Sequence, residues 1–187
     1  MEQPAPKRLT WADYELTPDD GFRYEVLEGQ LVREPAPSHF HQKTSWRLCA
    51  LLARWQSETG DRGDFVSAPA DVELGLHAIV QPDILYIRAE RVEELVAQHV
   101  KGAPDLAVEI FNRSGAARDG VQKLQIYAKY GVREYWLVDL DAGQVMMLEL
   151  VDGMYQAFAQ GTGDDRLESH VLRGFGFRPA EILAAER

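Results

Sequence analysis

Two acids stand where an apolar β-strand ordinarily excludes them, and their residue type points to divalent-metal chemistry. Glu109 lies within Leu106-Ala107-Val108-Glu109-Ile110-Phe111, an otherwise continuous apolar run of the kind buried on both faces of a sheet. An ionised carboxylate there costs several kcal/mol unless a cation or a full set of donors compensates it. Asp83 raises the same problem, since it interrupts Ile79-Val80 and Ile84-Leu85-Tyr86-Ile87 directly after Pro82. Each acid has an ordinary explanation. Glu109 suits an edge strand facing water or a buried ion pair, and Asp83 suits a strand-entry turn, because Pro82 cannot donate to a ladder. Two such acids in neighbouring strands are harder to dismiss than one. If the strands pair, the carboxylates can converge, and hard oxygen ligands of this kind suit Mg²⁺ or Mn²⁺.

Lys123 is the third candidate. Ala117, Val121, Leu124 and Ala128 form the core stripe of a helix, while Gly120, Lys123, Tyr127 and Tyr130 form a second stripe about 100° away. A lysine so framed either aims its ammonium beneath the helix or snorkels to solvent. Glu28, before Gly29, is read as a turn residue on its own evidence. His39 and His41 precede a long helix in a loop too poor in ligands for zinc, so polar or substrate contacts suit them better than metal. Asp139 and Asp141, before Gly143, read as turn chemistry.

The elements that must position these residues follow from periodicity and punctuation. Thr10 and Asp13 suit a short capped helix ended by Pro18-Asp19-Asp20-Gly21. Residues 23–27 and 30–33 flank Glu28-Gly29 as a hairpin. Ser38 opens a helix to about Glu58, with Leu48, Leu51, Leu52 and Trp55 as its buried stripe. Phe65 to Leu74 and Ile79 to Ile87 read as two strands, Glu90 to Val100 as a helix, and Leu106 to Phe111 as a buried strand. A helix from about Ala116 to Tyr130 follows, with Gly131 at its C-terminal left-handed position. Then come a strand, Glu134 to Asp139, and a meander: Gln144 to Leu150, the Asp152-Gly153 turn and Tyr155 to Ala159, before a short tail. This order predicts one α/β domain over 1–187, an α+β mixed sheet flanked by helices, with a core at about 23–140 and a C-terminal meander at about 144–177. No glycine-rich strand-to-helix turn or Walker loop is present.

Composition narrows the class. With 45% apolar and 27% charged residues the chain is of ordinary globular type, and its single cysteine excludes a disulfide framework and a cysteine-rich zinc site. The start lacks the apolar run of a secretory signal, and no stretch reaches the length of a membrane helix, so a cytoplasmic protein is expected. A net charge of −10 argues against nonspecific coating of nucleic acid. Residues 101–133 run the other way: Lys101, Arg113, Arg118, Lys123, Lys129 and Arg133 outnumber Asp105, Glu109 and Asp119. A charge run of this kind is either a solvated face or a local anion-binding surface.

Taken in order, several segments resemble the Uma-type restriction endonuclease family of the PD-(D/E)XK nuclease superfamily. They are Tyr24-Glu25-Val26-Leu27-Glu28-Gly29-Gln30-Leu31; the His41 region; Val80-Gln81-Pro82-Asp83-Ile84; Gly102-Ala103-Pro104-Asp105-Leu106-Ala107-Val108-Glu109-Ile110; Arg118-Asp119 through Lys123 and Tyr127; and Gly131 to Asp139. The similarity spans roughly residues 10–183. It implies a restriction-endonuclease-like core that binds Mg²⁺ or Mn²⁺ through Asp83, Glu109 and the backbone carbonyl of Ile110, with Glu28 a further catalytic acid. The superfamily places its lysine two positions after the second acid, where this chain has Phe111, so Lys123 enters as the substitute. The loop Phe111-Asn112-Arg113-Ser114-Gly115 lacks the proline common in similar proteins. The resemblance implies a metal-dependent endonuclease acting on DNA, expected as a homodimer, with His41, Arg113, Arg118 and Lys129 on the nucleic acid. A non-catalytic binding or oligomerisation protein on the same scaffold is the alternative, and a hydrolase of other phosphate esters a third reading.

Overall fold

Alternation along three strands decides the layers. The computed structural model describes residues 7–183, and for residues 113–121 of one helix the backbone alone. In β6 (Ile84–Ile87) and β8 (Leu106–Phe111), Ile84, Tyr86, Leu106, Val108 and Ile110 enter one core, and Leu85, Ile87 and Ala107 enter another on the opposite face. In β9 (Glu134–Asp139), Trp136 and Val138 join the first core and Tyr135 the second. These strands lie within a six-stranded sheet with β3 (Asp64–Ser67), β10 (Gln144–Val151) and β11 (Met154–Thr162), in the order β11-β10-β9-β8-β6-β3. Burial on both faces accounts for the near-continuous apolar reading of these sequences.

The first core packs beneath α2 (His39–Thr59), whose Leu48, Leu52 and Trp55 face the sheet. Ser38 caps this helix by accepting from the His41 N–H, and Gly60 ends it at φ 69°. The C-terminal segment closes the same side. Leu167, Leu172, Phe175, Phe177 and Ile182 are buried there, through β12 (Leu167–Glu168), β13 (Gly176–Phe177) and α5 (Pro179–Leu183). The tail is therefore core, where a short appendage was expected.

A second sheet covers the other face, in the order β2-β1-β5-β4-β7, from β1 (Arg23–Leu27), β2 (Gln30–Glu34), β4 (Val72–Gly75), β5 (Ala78–Val80) and β7 (Val100–Lys101). Its inner residues share the second core with α4 (Arg113–Tyr130), the crossover between the parallel strands β8 and β9. The short helix α1 (Trp11–Tyr14) packs outside β1, with Tyr14, Tyr24, Val26 and Ile79 in a small third core. The helix α3 (Ala89–Leu95) is shorter than expected and gives way to β7.

Two expected strands are each split. Phe65 to Leu74 divides into β3 and β4, and Ile79 to Ile87 divides into β5 and β6, with each half in a different sheet. Pro82 supplies no N–H to a ladder, so the run breaks there and Gln81-Pro82-Asp83 carries the chain from one sheet to the other. The acid read as an interruption of one strand is the last residue of a splice between two.

Candidate active site

The splice sets Asp83 beside β8. β6 and β8 pair antiparallel with Ile84 opposite Val108, and continuing that register by one residue puts Asp83 opposite Glu109. The Asp83 N–H donates to the Val108 carbonyl at 3.0 Å, and the Ile110 N–H donates to Asp83 Oδ2 at 2.7 Å. Asp83 thus grips the backbone on either side of Glu109. Its Oδ2 also lies 3.0 Å from His41 Nε2, and Oδ1 accepts from Arg23 Nη1 at 3.1 Å. Burial alone would raise this carboxyl. The His41 hydrogen bond, the Arg23 charge and the Ile110 N–H outweigh it and hold Asp83 below the usual aspartate range.

Glu109 faces α4, which follows β8 and folds back over it. Lys123 Nζ reaches both Glu109 oxygens at 3.2 Å, and the Tyr127 hydroxyl donates to Oε1 at 2.8 Å. The spacing of four residues puts Lys123 and Tyr127 on one stripe, as expected. Burial, then the charges of Asp83 and Glu25, push Glu109 up to about 8, although Lys123 and Tyr127 pull the other way. The carboxylates Glu109, Glu25 and Glu34 hold Lys123 well above its ordinary value despite its burial.

Glu25 completes the cluster, and sequence reasoning missed it. It is buried at 1% exposure, with Oε2 2.9 Å from Lys123 Nζ and Oε1 accepting the Gln81 N–H at 2.6 Å. Period two along β1 explains its aim: Tyr24 and Val26 point outward under α1, so Arg23, Glu25 and Leu27 point inward. The available signal was the one that exposed Glu109, an acid inside an apolar strand. Glu34, opposite Arg23 in the hairpin, lies 4.0 Å from Lys123 and 3.6 Å from Arg23.

The structure brings Asp83, Glu109, Lys123 and the Ile110 backbone together. It does not bring Glu28 to them. Glu28 (φ 55°) and Gly29 (φ 86°) form the two-residue turn of the β1–β2 hairpin, where both central residues need positive φ. Glu28 there pairs with Lys129 at 2.7 Å, and Lys129 is spent on that pair. Both line a cleft of about 410 Å³ with Gln122, Gln125 and Ile126. That stripe of α4 adjoins the Lys123 stripe, and the cleft includes none of the clustered acids. His41 is buried on Asp83 rather than set toward solvent. The Arg113 and Arg118 side chains lie outside the described residues.

The cluster gathers four carboxylates, Glu25, Glu34, Asp83 and Glu109, around two permanent cations, Arg23 and Lys123. The chemistry of that donor set fits a divalent ion, for it consists of hard oxygens with negative charge in excess. Among the described residues no three His, Cys, Asp or Glu side chains group as a metal-ligand set.

Two comparisons place the chain among known proteins. The sequence profile of Uma2, described as "Putative restriction endonuclease", matches residues 11–183. The chain belongs to the Uma2 family. No curated protein matches this Uma2 chain. A crystal structure of "a putative nuclease belonging to DUF820" from Anabaena variabilis superposes on it with a TM-score of 0.76 at 15% identity, covering 94% of this chain and 98% of that one. At that identity the likeness is one of fold. Among the described residues of the Uma2 protein, no helix is long and apolar enough to cross a membrane.

Proposed function

We propose that this protein is a metal-dependent endonuclease hydrolysing DNA phosphodiester bonds. The observation that carries the reading is the convergence of Asp83, Glu109 and Lys123 from a splice, a strand and a helix into one under-neutralised acid cluster. Asp83, Glu109 and the Ile110 carbonyl would hold a divalent ion, which would supply an activated water and polarise the phosphate. Lys123 stays protonated, so its role is that of a fixed positive charge that orients the acids and offsets charge developing on the phosphoryl oxygens. His41 and the Ile110 N–H fix the Asp83 carboxylate, Tyr127 fixes Glu109, and the Gln81 N–H fixes Glu25. Each partner removes rotamer freedom from an acid before substrate arrives. A homodimer belongs to this reading, because cutting both strands of a duplex calls for two sites.

Purified protein should nick or cut DNA with Mg²⁺ or Mn²⁺, and Asp83→Ala, Glu109→Ala and Lys123→Ala should each abolish cutting while remaining folded. Equal cutting by these variants would assign the activity to a contaminant. One observation favours the non-catalytic alternative: both oxygens of Asp83 and of Glu109 already have partners within the protein. Calorimetry separates the readings, since a closed ion-pair network takes up no Mn²⁺ that Asp83→Asn removes.

A further inference from the structure

The two cations of the cluster differ in what they have left to give. Lys123 has three N–H donors and, within 4.0 Å, Glu25, both oxygens of Glu109 and Glu34. It is saturated. Arg23 has five donors on a planar fork. Its Nη1 is on Asp83 at 3.1 Å, its Nη2 stands 3.6 Å from Glu34, beyond hydrogen-bond reach, and its Nε is buried with no hydrogen-bond partner among the described residues. Nε and Nη2 share one edge of the guanidinium, the edge that takes two oxygens of one phosphate in parallel. An unpaired buried N–H on a permanent cation is costly, and a ligand oxygen or an ordered water completes it.

We propose that Arg23 binds a phosphodiester of the nucleic acid through its Nε–Nη2 edge, with Glu34 as the resident counter-ion that the phosphate displaces. The assignment rests on the nuclease reading above and names the residue that takes hold of its substrate. Register supports it: Arg23 and Glu34 are directly opposed in the β1–β2 hairpin, so the carboxylate steadies the fork in the free protein. Access supports it as well. The Arg23 and Glu34 side chains are 20% and 21% exposed, against 6% for Lys123 and 3% for Asp83, so an anion meets this pair before it meets Lys123 or Asp83. Through Nη1 the same guanidinium holds Asp83, so phosphate and acid are aligned by one rigid group.

Calorimetric titration of inorganic phosphate into the metal-free protein tests the assignment, with circular dichroism reporting the fold of each variant. Wild type should bind phosphate, and Glu34→Gln should bind it several-fold more tightly because the competing acid is gone. Arg23→Gln should weaken binding at least tenfold. Arg23→Lys, which keeps the charge and loses the fork, should not restore it. The Arg23→Gln/Glu34→Gln double variant should lose the gain seen with Glu34→Gln. A merely structural Arg23 predicts that the gain from Glu34→Gln survives in the double variant, and if Arg23→Gln fails to fold, Arg23→Lys carries the same test. Wild-type affinity in Arg23→Gln, or no phosphate binding by either wild type or Glu34→Gln, would overturn the proposal. DNA cleavage assayed in parallel separates the two claims. Phosphate results as expected without cutting would sink the nuclease reading alone, whereas cutting with an unchanged KM in Arg23→Gln would sink the Arg23 assignment alone.

Discussion

Glu109, partly buried, and Glu134, buried, lie in adjacent parallel strands, and their surroundings differ in kind. Glu134 accepts from four neutral donors: Trp136 Nε1 at 2.6 Å and Ser169 Oγ at 2.8 Å on one oxygen, the His170 and Val171 N–H groups at 3.0 and 2.7 Å on the other. Burial raises it, and those donors oppose the rise. Three of these four donors, from Ser169, His170 and Val171, fasten the C-terminal segment to β9. Glu109 instead shares a lysine with two further carboxylates and faces Asp83. Asp105, at the other end of β8, gives a third case: one fully buried acid met by Arg88, Arg91 and Arg133. Glu134 is met by neutral donors alone and Asp105 by three arginines, whereas the four carboxylates of the candidate site have two permanent cations, Arg23 and Lys123, among their partners. On the proposed reading, that excess of acid over permanent cation separates a metal site from acids that hold the fold together.

The contrast breaks most visibly in a pair of substitutions. Glu109→Gln should reduce metal-dependent cutting by roughly a thousandfold, about 4 kcal/mol of barrier, while leaving the melting temperature of the metal-free protein unchanged or higher. Glu134→Ala should do the reverse. It strands four donors and should cost about 3 kcal/mol of stability in a denaturant titration, with cutting per folded molecule retained. A stability loss in Glu109→Gln as large as that in Glu134→Ala would erase the distinction.

Metal should sharpen it. At a hundred times its dissociation constant, Mn²⁺ should stabilise wild type by about 2.7 kcal/mol, and Glu134→Gln by as much. Asp83→Asn and Glu109→Gln should lose that gain in differential scanning calorimetry. An equal gain in all four proteins would place the ion elsewhere.

A smaller effect concerns pH. Glu109 rises from an ordinary 4.5 to about 8, so between those values the folded protein keeps a proton that the unfolded chain has released. Its contribution to stability therefore falls as pH rises through that window and levels off above it. The metal-free wild type should lose melting temperature relative to Glu109→Gln between about pH 5 and about pH 8. A constant difference would contradict the shift. The smallest effect belongs to the exposed pair Glu28 and Lys129: Glu28→Gln should change neither cutting nor melting temperature measurably, whereas Glu25→Gln should impair cutting.

How much of this was legible in the sequence depended on whether a residue broke the pattern of its own segment. Glu109 and Asp83 did so conspicuously, and Lys123 stood on a stripe with tyrosines, so all three could be named before any fold. Glu25 is overshadowed by a more prominent acid, Glu28, three residues on at the hairpin turn. Only the parity of β1, fixed by which face α1 covers, says that Glu25 points in. Arg23 and Glu34 are ordinary strand-end residues until the hairpin register opposes them. The break at Gln81-Pro82 was hidden because apolar runs on both sides read alike whether they lie in one sheet or two. In the tail, Leu172, Phe175 and Phe177 carried a core signal that a lack of strong periodicity concealed.

The three-residue splice has a mechanical consequence. Its first member steadies an acid of one sheet through the Gln81 N–H, and its last, Asp83, is tied to the other sheet through the Val108 and Ile110 backbone. Like charges thus press outward along the seam where two otherwise separate β-layers abut. Adding one residue at Pro82 would leave both layers intact and still pull the acids out of alignment, because the chemistry is set by the distance between layers as much as by the side chains.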